Sequence, residues 1–440
     1  MAASRDASEA LRIRALPSLL LLGLPLGLLE WPYQLLSELG FRLQQSLWNL
    51  TGLVAQRSAP WSPASPWHGP LLVFTASAAM VWLAWGPLSA GRGGGVTGLL
   101  ALDRAGAEAK PSDRAVWSGK LAPGCQLTRL PLLLLTHLAG LSVGVESPCA
   151  ALGASLLLGV RRWRPLSDLP PRLVAVIGGA AGLGAAFRSP LLGVVYGLEE
   201  LGRRSGLPLV PPVLLLAGSG SLVASTLGQP ARLSGLTLGP LPSSLLGWAA
   251  LLCLAGVLLG SLLVRLLIAV SSPLERWIPR HRLLLALLLA ALLTLIAVAS
   301  DGLSLNDGSL SLAAALRGQS GGGTELLFWR LLATVLSVAA GAPGGIMHDA
   351  MTLGGLLVEP LRPLLQVPPA QLAQLAAIAA TALFAAANGT PIFCAVFVFT
   401  LQGDPASLPL LLLVSGVSAQ LAIPLRGEEW NAHQAARLWS

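Results

Sequence analysis

The chain has 440 residues, of which 54% are hydrophobic and only 11% charged, against about 25% charged in an average soluble domain. That balance excludes a soluble globular enzyme, a disordered chain and a nucleic-acid module built on a charged surface, and it predicts a polytopic α-helical membrane protein. The net charge of +8 does not revive the nucleic-acid reading. Only two lysines occur, Lys110 and Lys120, and the arginines are scattered at the edges of apolar runs, where the positive-inside rule puts them. The four cysteines, Cys125, Cys149, Cys253 and Cys394, are far apart with no CxxC and no histidine pairing. They read as small buried hydrophobes, neither disulfide partners nor metal ligands.

At the N-terminus, Arg5, Arg12 and Arg14 precede an apolar run from Ala15 to Trp31. Glu30-Trp31-Pro32 is a poor signal-peptide cleavage site, so the run reads as a retained first helix with its Arg-rich end inside. Residues 34–53 continue it as a long tilted helix, and a Pro/Ser/Trp-rich loop covers 58–66. Further apolar runs cover about 70–87, 129–143, 149–160, 172–200, 207–227, 242–271, 282–300, 326–341, 350–366, 370–387, 391–402 and 407–424. Several fall short of the ~20 residues that a straight span needs, and glycine and proline interrupt many. This pattern predicts broken helices whose ends meet at a mid-membrane binding site. Segments 103–127 and 301–325 read as polar loops, the first solvent-facing with Asp103, Glu108, Lys110, Asp113, Arg114 and Lys120. No soluble regulatory domain is expected after the last run.

Two blocks resemble each other at a constant offset. One runs from Gly144 (GVESPCAALGASLLLG) to GAAFRSPLLGVVYGLEE, the other from Gly341 (GAPGGIMHDAMTLGGLLVEPL) to FAAANGTPIFCAVFVFTLQ. Leu152-Gly153 matches Leu353-Gly354, Ala185-Ala186 matches Ala386-Ala387, and Pro190 matches Pro391, each 201 residues apart. Duplicated halves are a transporter signature. The residues alone do not say whether the halves run parallel or inverted.

Ionisable groups inside spans cost about 2.5–3.5 kcal/mol each on insertion scales and are functional candidates by default. Those counted within or against the apolar runs are Glu146, Glu199, Glu200, Asp349 and Glu359. In Gly144-Val145-Glu146-Ser147-Pro148, Ser147 reads as a helix N-cap and Pro148 as the first helical residue. The free N–H groups of that helix would then point toward Glu146, where an anion could compete with the carboxylate. The bland alternative is a helix-end carboxylate with no transport role. Glu199-Glu200, before Arg203-Arg204, is either an interfacial acid pair or a proton acceptor on the water side of a pore. Asp349, after His348, reads as the N-cap of a helix beginning near Ala350. Too few further ligands surround His348 and Asp349 for a metal. Glu359 reads as a span end, and Arg265 as a side chain that snorkels or pairs rather than carries substrate. Intramembrane hydrolysis would need Ser219 or Ser221 in register with His137 or His348, which nothing in the spacing supports.

Taken together, these residues resemble the CLC family of chloride channels and chloride/proton antiporters. Gly144-Val145-Glu146-Ser147-Pro148 is similar to the family's GxEGP signature, with Ser147 at the second Gly. Gly341 to Met347 is similar to its GxFxP region, with Met347 at the Phe and Asp349 at the Pro. Ala185 to Leu191, on through Glu199-Glu200, resembles its AAxFxAPL…EE stretch, and Gly93-Gly94-Gly95-Val96-Thr97 holds the place of its GSGIP loop. Order, spacing and repeat agree from about residue 15 to 430.

The resemblance implies an all-α membrane fold of two inverted repeats of broken, tilted helices. It implies a homodimer in the lipid bilayer, each subunit with its own anion pathway, and chloride and protons as the transported ions, with no cofactor and no nucleic acid. Glu146 would be the gating glutamate and Glu200 the inner proton acceptor. Backbone groups at Gly94, Gly95, Ile346 and Met347 would bind the anion. The GSGIP serine aligns with Gly94, so a hydroxyl donor is lost. The family's late tyrosine has no Tyr partner, and Trp430 falls near its place with an indole N–H that could donate. The leading expectation is a chloride/proton antiporter. A passive chloride channel, or an exchanger of fluoride or nitrate, is the alternative. The expected organisation is a transport domain over 15–425 with repeat halves near 70–227 and 242–424. Cytoplasmic tails 1–14 and 426–440 flank it, in a bacterial inner or plasma membrane.

Overall fold

The computed structural model of the chain describes residues 16–48, 67–105, 119–161, 166, 169–202, 206–229 and 235–437. The Arg-rich N-terminal stretch, the loop at 58–66, Arg203-Arg204 and residues 106–118 of the first polar loop lie outside the described residues. The β pairing among the described residues is one isolated bridge, between Gly144 and Gly345. A chain solvated by lipid must satisfy its own backbone N–H and C=O groups, and local i→i−4 bonds do so without a partner segment.

In chain order the helices of the first half are α1 (Leu16–Leu47), α2 (His68–Ala84), α3 (Val96–Ala105), α4 (Pro123–Leu138), α5 (Glu146–Gly159), α6 (Pro171–Ala186), α7 (Pro190–Tyr196) and α8 (Val210–Thr226). Those of the second are α9 (Leu246–Trp277), α10 (Arg282–Ala299), α11 (Ser309–Leu316), α12 (Glu325–Ala339), α13 (Met347–Leu356), α14 (Pro369–Asn388), α15 (Pro391–Gln402) and α16 (Leu408–Arg426). A last helix, α17 (Trp430–Arg437), follows within the stretch read as a tail. Among the described residues, six helical segments are long and apolar enough to cross a membrane, including Pro17–Leu47, Ser243–Trp277 and Arg282–Ala299. On α10, Leu283, Leu284, Leu288 and Leu295 are each half or more exposed; such a face suits lipid, not water.

Three local outcomes differ from the sequence reading. The single run 172–200 is two helices, because Arg188 takes a left-handed turn at φ 52° and the Ser189 side chain then caps α7 by accepting from Leu192 N–H at 3.3 Å. The segment 301–325, expected to be a loop throughout, contains α11, whose apolar SLSLAAAL packs on α13 and α14. Helix α5 begins at Glu146, with Val145 as its cap residue, so Ser147 and Pro148 lie inside the first turn. Pro148 is tolerated there because the first four N–H groups of a helix have no intrahelical partner.

The two halves repeat each other as packed objects. Helix α1 lies against α6 and α8, as α9 lies against α14 and α16. Both α1 and α9 have 32 residues. Helix α5 crosses α6 as α13 crosses α14. At these crossings the backbones meet: a Cβ on Gly153 would lie 2.2 Å from the Gly178 carbonyl oxygen, and one on Gly354 would lie 2.5 Å from that of Ala379. Both pairs are related by the same 201 residues. Lipid is as apolar as leucine, so close contact between small residues, not burial from water, holds such helices together.

Candidate functional site

The site begins where the two repeats touch. Gly144 donates to the Gly345 carbonyl at 2.9 Å and Gly345 donates back to Gly144 at 2.8 Å. The residues that exchange these bonds, 144 and 345, are themselves 201 apart, so the antiparallel bridge lies on the local two-fold relation between the halves. Two residues later on each side a helix starts, α5 at Glu146 and α13 at Met347. Both direct unpaired N–H groups and the positive dipole end toward the same place.

A third helix N-terminus arrives from the loop Gly93-Gly94-Gly95, where Gly93 and Gly95 have φ of 73° and 88° before α3 begins at Val96. Between these ends lies a cavity of about 30 Å³, lined by Gly93 to Thr97, Ser147, Val338, Ala342, Gly344 to Met347, Asn388, Trp430, Asn431 and Gln434. The five positions singled out as anion-binding, Gly94, Gly95, Ile346, Met347 and Trp430, all line it. Convergent amides with no carboxylate among the lining residues suit an anion.

Two departures noted in the sequence prove to be neighbours. A Cβ on Gly94 would lie 2.5 Å from the Cβ of Ser147 and 2.7 Å from the Gly344 carbonyl oxygen. A serine at 94 and a serine at 147 therefore exclude each other. The hydroxyl missing from the glycine loop stands across the gap on Ser147, at the cavity wall. Behind Gly95 the guanidinium of Arg129 fills the space that a Cβ would need, at 2.5 Å. Arg129 is 1% exposed and its side-chain partner is the neutral Gln126. A buried cation so placed raises the positive potential of the cavity.

Glu146 is fully buried and does not line the cavity. Its Oε1 contacts Nδ1 of His348, while its Oε2 is buried without a hydrogen-bond partner near Gly345, where a Cβ would be 3.4 Å away. The His348 ring stacks on Phe187, centroids 5.7 Å apart, and meets Phe397 edge-on at 5.5 Å.

Glu200 lies in a single wide turn, 197–201, that extends α7. Its carboxylate accepts from Asn388 at 3.2 Å and from Asn431 at 2.7 Å, and both asparagines line the cavity. Its neighbour Glu199 points elsewhere and caps α15, accepting from Ile392 N–H at 3.2 Å and Phe393 N–H at 2.6 Å. The sequence pair thus divides into a helix cap and a carboxylate one side chain away from the cavity. Tyr196, whose hydroxyl is buried without a partner, is within electrostatic reach of both Glu200 and Glu146.

Sequence reasoning missed several of these groups. Asn388 is the repeat-mate of Phe187, and a polar residue at an aromatic's position was a usable signal. Asn431 adjoins Trp430, which was singled out, and His348 was weighed only as a metal ligand or a hydrolytic base, not as a partner of Glu146. Glu30 was passed over among the acids, yet it is 1% exposed inside α1 and lies against the Cys149 thiol. The expectation for Asp349 is corrected. It is not an N-cap but sits in the first turn of α13, 3.1 Å from Arg330 of α12, with the Ser142 hydroxyl donating to the same oxygen. Arg330 is 1% exposed, and its pairing with this carboxylate in place of water outweighs the capping preference. Ser219 and Ser221 donate to the carbonyls of Leu215 and Gly184, and His348 is engaged by Glu146.

The family model described as "Voltage gated chloride channel" matches residues 117–422. The chain belongs to this family. A putative chloride channel protein, ClcB-like, from Ralstonia nicotianae is 32% identical over 170 residues, 37% of each chain. The H(+)/Cl(-) exchange transporter ClcA of Vibrio cholerae is 27% identical over 315 residues, covering 66% of this chain and 64% of that protein. Among solved structures, a slow cyanobacterial Cl-/H+ antiporter aligns with TM-score 0.76 at 20% identity, covering 97% of this chain and 98% of that one. A CLC-type fluoride/proton antiporter aligns with TM-score 0.70 at 20% identity, covering 94% and 98%. At that identity the structures speak for the fold, which is the voltage gated chloride channel family's: two inverted repeats of tilted helices in a multi-pass integral membrane protein.

Proposed function

We propose that the protein is a proton-coupled chloride antiporter, with Glu146 as the gating carboxylate and Glu200 as the inner proton acceptor. The observation that carries this is the placement of two buried carboxylates about one small cavity. Glu146 stands at the crossing of the repeats, and Glu200 stands behind Asn388 and Asn431 on the cavity wall. The anion would be held by backbone N–H groups at Gly94, Gly95, Ile346 and Met347, by the Ser147 hydroxyl in place of the one lost at Gly94, and by Trp430, with Arg129 supplying charge from behind.

One carboxylate can then couple the two fluxes. Ionised, Glu146 competes with the anion for the same helix N-termini. Protonated, it withdraws and leaves the site to chloride. Glu200 exchanges its proton with the opposite solution, so the proton and the anion share the outer part of the pathway and part at the inner end. Resemblance to the family supports a homodimer with one pathway per subunit, in a bacterial inner or plasma membrane.

The test is flux in liposomes. A chloride gradient should drive protons uphill through the wild-type protein. Glu200→Gln should reduce proton movement to background while chloride still moves, and Glu146→Ala should uncouple the two. Wild-type protein that carries chloride without protons would be a passive channel, and one that carries fluoride but no chloride would make fluoride the substrate.

A further inference from the structure

The gate has a partner that the transport scheme does not use. The Glu146 carboxylate does not line the cavity and lies against Nδ1 of His348. The ring itself is 3% exposed and gripped between Phe187 and Phe397. An imidazole fixed by aromatic packing is a directional group, not a loose neighbour. Around the pair, helix α5 contributes Cys149 one turn beyond Glu146, and the helix of His348 contributes Asp349, which Arg330 of α12 neutralises. Tyr196 of α7 is within electrostatic reach of Glu146, and Phe187 and Phe397, on the His348 ring, do not titrate.

We propose that His348 is the positioning partner of Glu146: its protonated ring holds the carboxylate out of the anion cavity, and loss of that proton releases the carboxylate to compete for the cavity. This rests on the reading of Glu146 as the gate. An imidazolium and a carboxylate in contact cancel each other's charge within the apolar pocket. When Nδ1 gives its proton to solvent, the carboxylate keeps its charge and loses its counter-ion. The nearest compensation is then the free N–H groups at the starts of α5 and α13, on the cavity side. No bond other than N–H changes. The ring would add a titration step to anion transport, separate from the protonation of Glu146 itself.

Two measurements test this. The first needs no transport. In protein with labelled histidine, one of the five ring signals is assigned to His348 by its loss in His348→Asn, or in His348→Gln should the asparagine variant not fold. Glu146→Gln should move the titration midpoint of that signal by about one pH unit or more, the size that an opposite charge in contact produces. An unmoved midpoint overturns the proposal. The second is chloride flux against pH in liposomes. His348→Asn, which keeps a donor at the Nδ1 position but cannot titrate, should remove one step from the wild-type profile and have no further effect in a Glu146→Ala background. An unchanged profile, or an equal change in both backgrounds, overturns it. If the wild type carries no chloride, the antiporter reading fails, and the ring signals still decide whether the pair exists.

Discussion

At the scale of single residues, the proposed anion site is a case of one hydroxyl moved across a gap. Gly94 and Ser147 occupy facing positions whose side chains cannot both extend beyond a hydrogen. Ser147→Gly should therefore weaken chloride binding about tenfold, equivalent to about 1.4 kcal/mol for one hydrogen bond to a charged ligand. Gly94→Ser alone should fold poorly because its Cβ meets both Ser147 and the Gly344 carbonyl oxygen, and Gly94→Ser with Ser147→Gly should relieve the first clash only and recover part of the lost stability. Calorimetric titration of the purified protein with chloride measures the first, and thermal unfolding in detergent the other two. Unaltered affinity in Ser147→Gly would remove the hydroxyl from the site. The sequence displayed both departures but not their adjacency, since 53 positions separate them and only the crossing of α5 with the glycine loop brings them together. For the same reason Arg330 could not be matched to Asp349, nor Asn388 to Glu200. Partners of buried charges are non-local, and spacing along the chain is silent about them.

At the scale of elements, what was legible was the period and the breaks. The constant 201-residue offset located α5, α6 and α7 against α13, α14 and α15 before any coordinates, because duplicated halves keep their small residues where backbones touch. Boundaries were less legible. Helix α5 starts two residues early because the Gly144–Gly345 bridge fixes the chain direction ahead of the Ser-Pro signal, and α11 hid inside a stretch whose flanks are rich in glycine and aspartate. The small-residue crossings lead to a direct test. Gly153→Leu would drive a side chain into the Gly178 carbonyl 2.2 Å from its Cβ and should cost about 1–3 kcal/mol, the range for overpacking. Gly159→Leu, on the same helix with open space around it, should be tolerated. Thermal unfolding in detergent compares the two, and equal midpoints would mean that the α5–α6 contact is not tight.

For the whole molecule, the backbone is nearly symmetric while the chemistry is not. The repeat-mates of Glu146 and Glu200 are Met347 and Leu401, so both carboxylates belong to the first half although both halves build the cavity. This asymmetry gives a two-fold scaffold a direction. The proposed homodimer has one pathway per subunit, and its two units should work independently. A tandem-linked pair carrying one Glu200→Gln subunit should keep about half the coupled proton flux of the unmutated pair. Complete loss would indicate a pathway shared between subunits, and two bleaching steps per labelled particle would count the copies.

The bridge between Gly144 and Gly345 also has a consequence in time. A ribosome adding about 5–20 residues per second needs about 10–40 s to travel the 201 residues from one glycine to the other. For that interval the first half sits in the bilayer with the Gly144 amide and carbonyl unanswered and with Glu146 lacking the histidine it will meet. The first half therefore meets these polar partners only once the second has been made. Translation speed, membrane-insertion factors and the spacing of the two halves are accordingly as much conditions of a working pathway as the residues that line it.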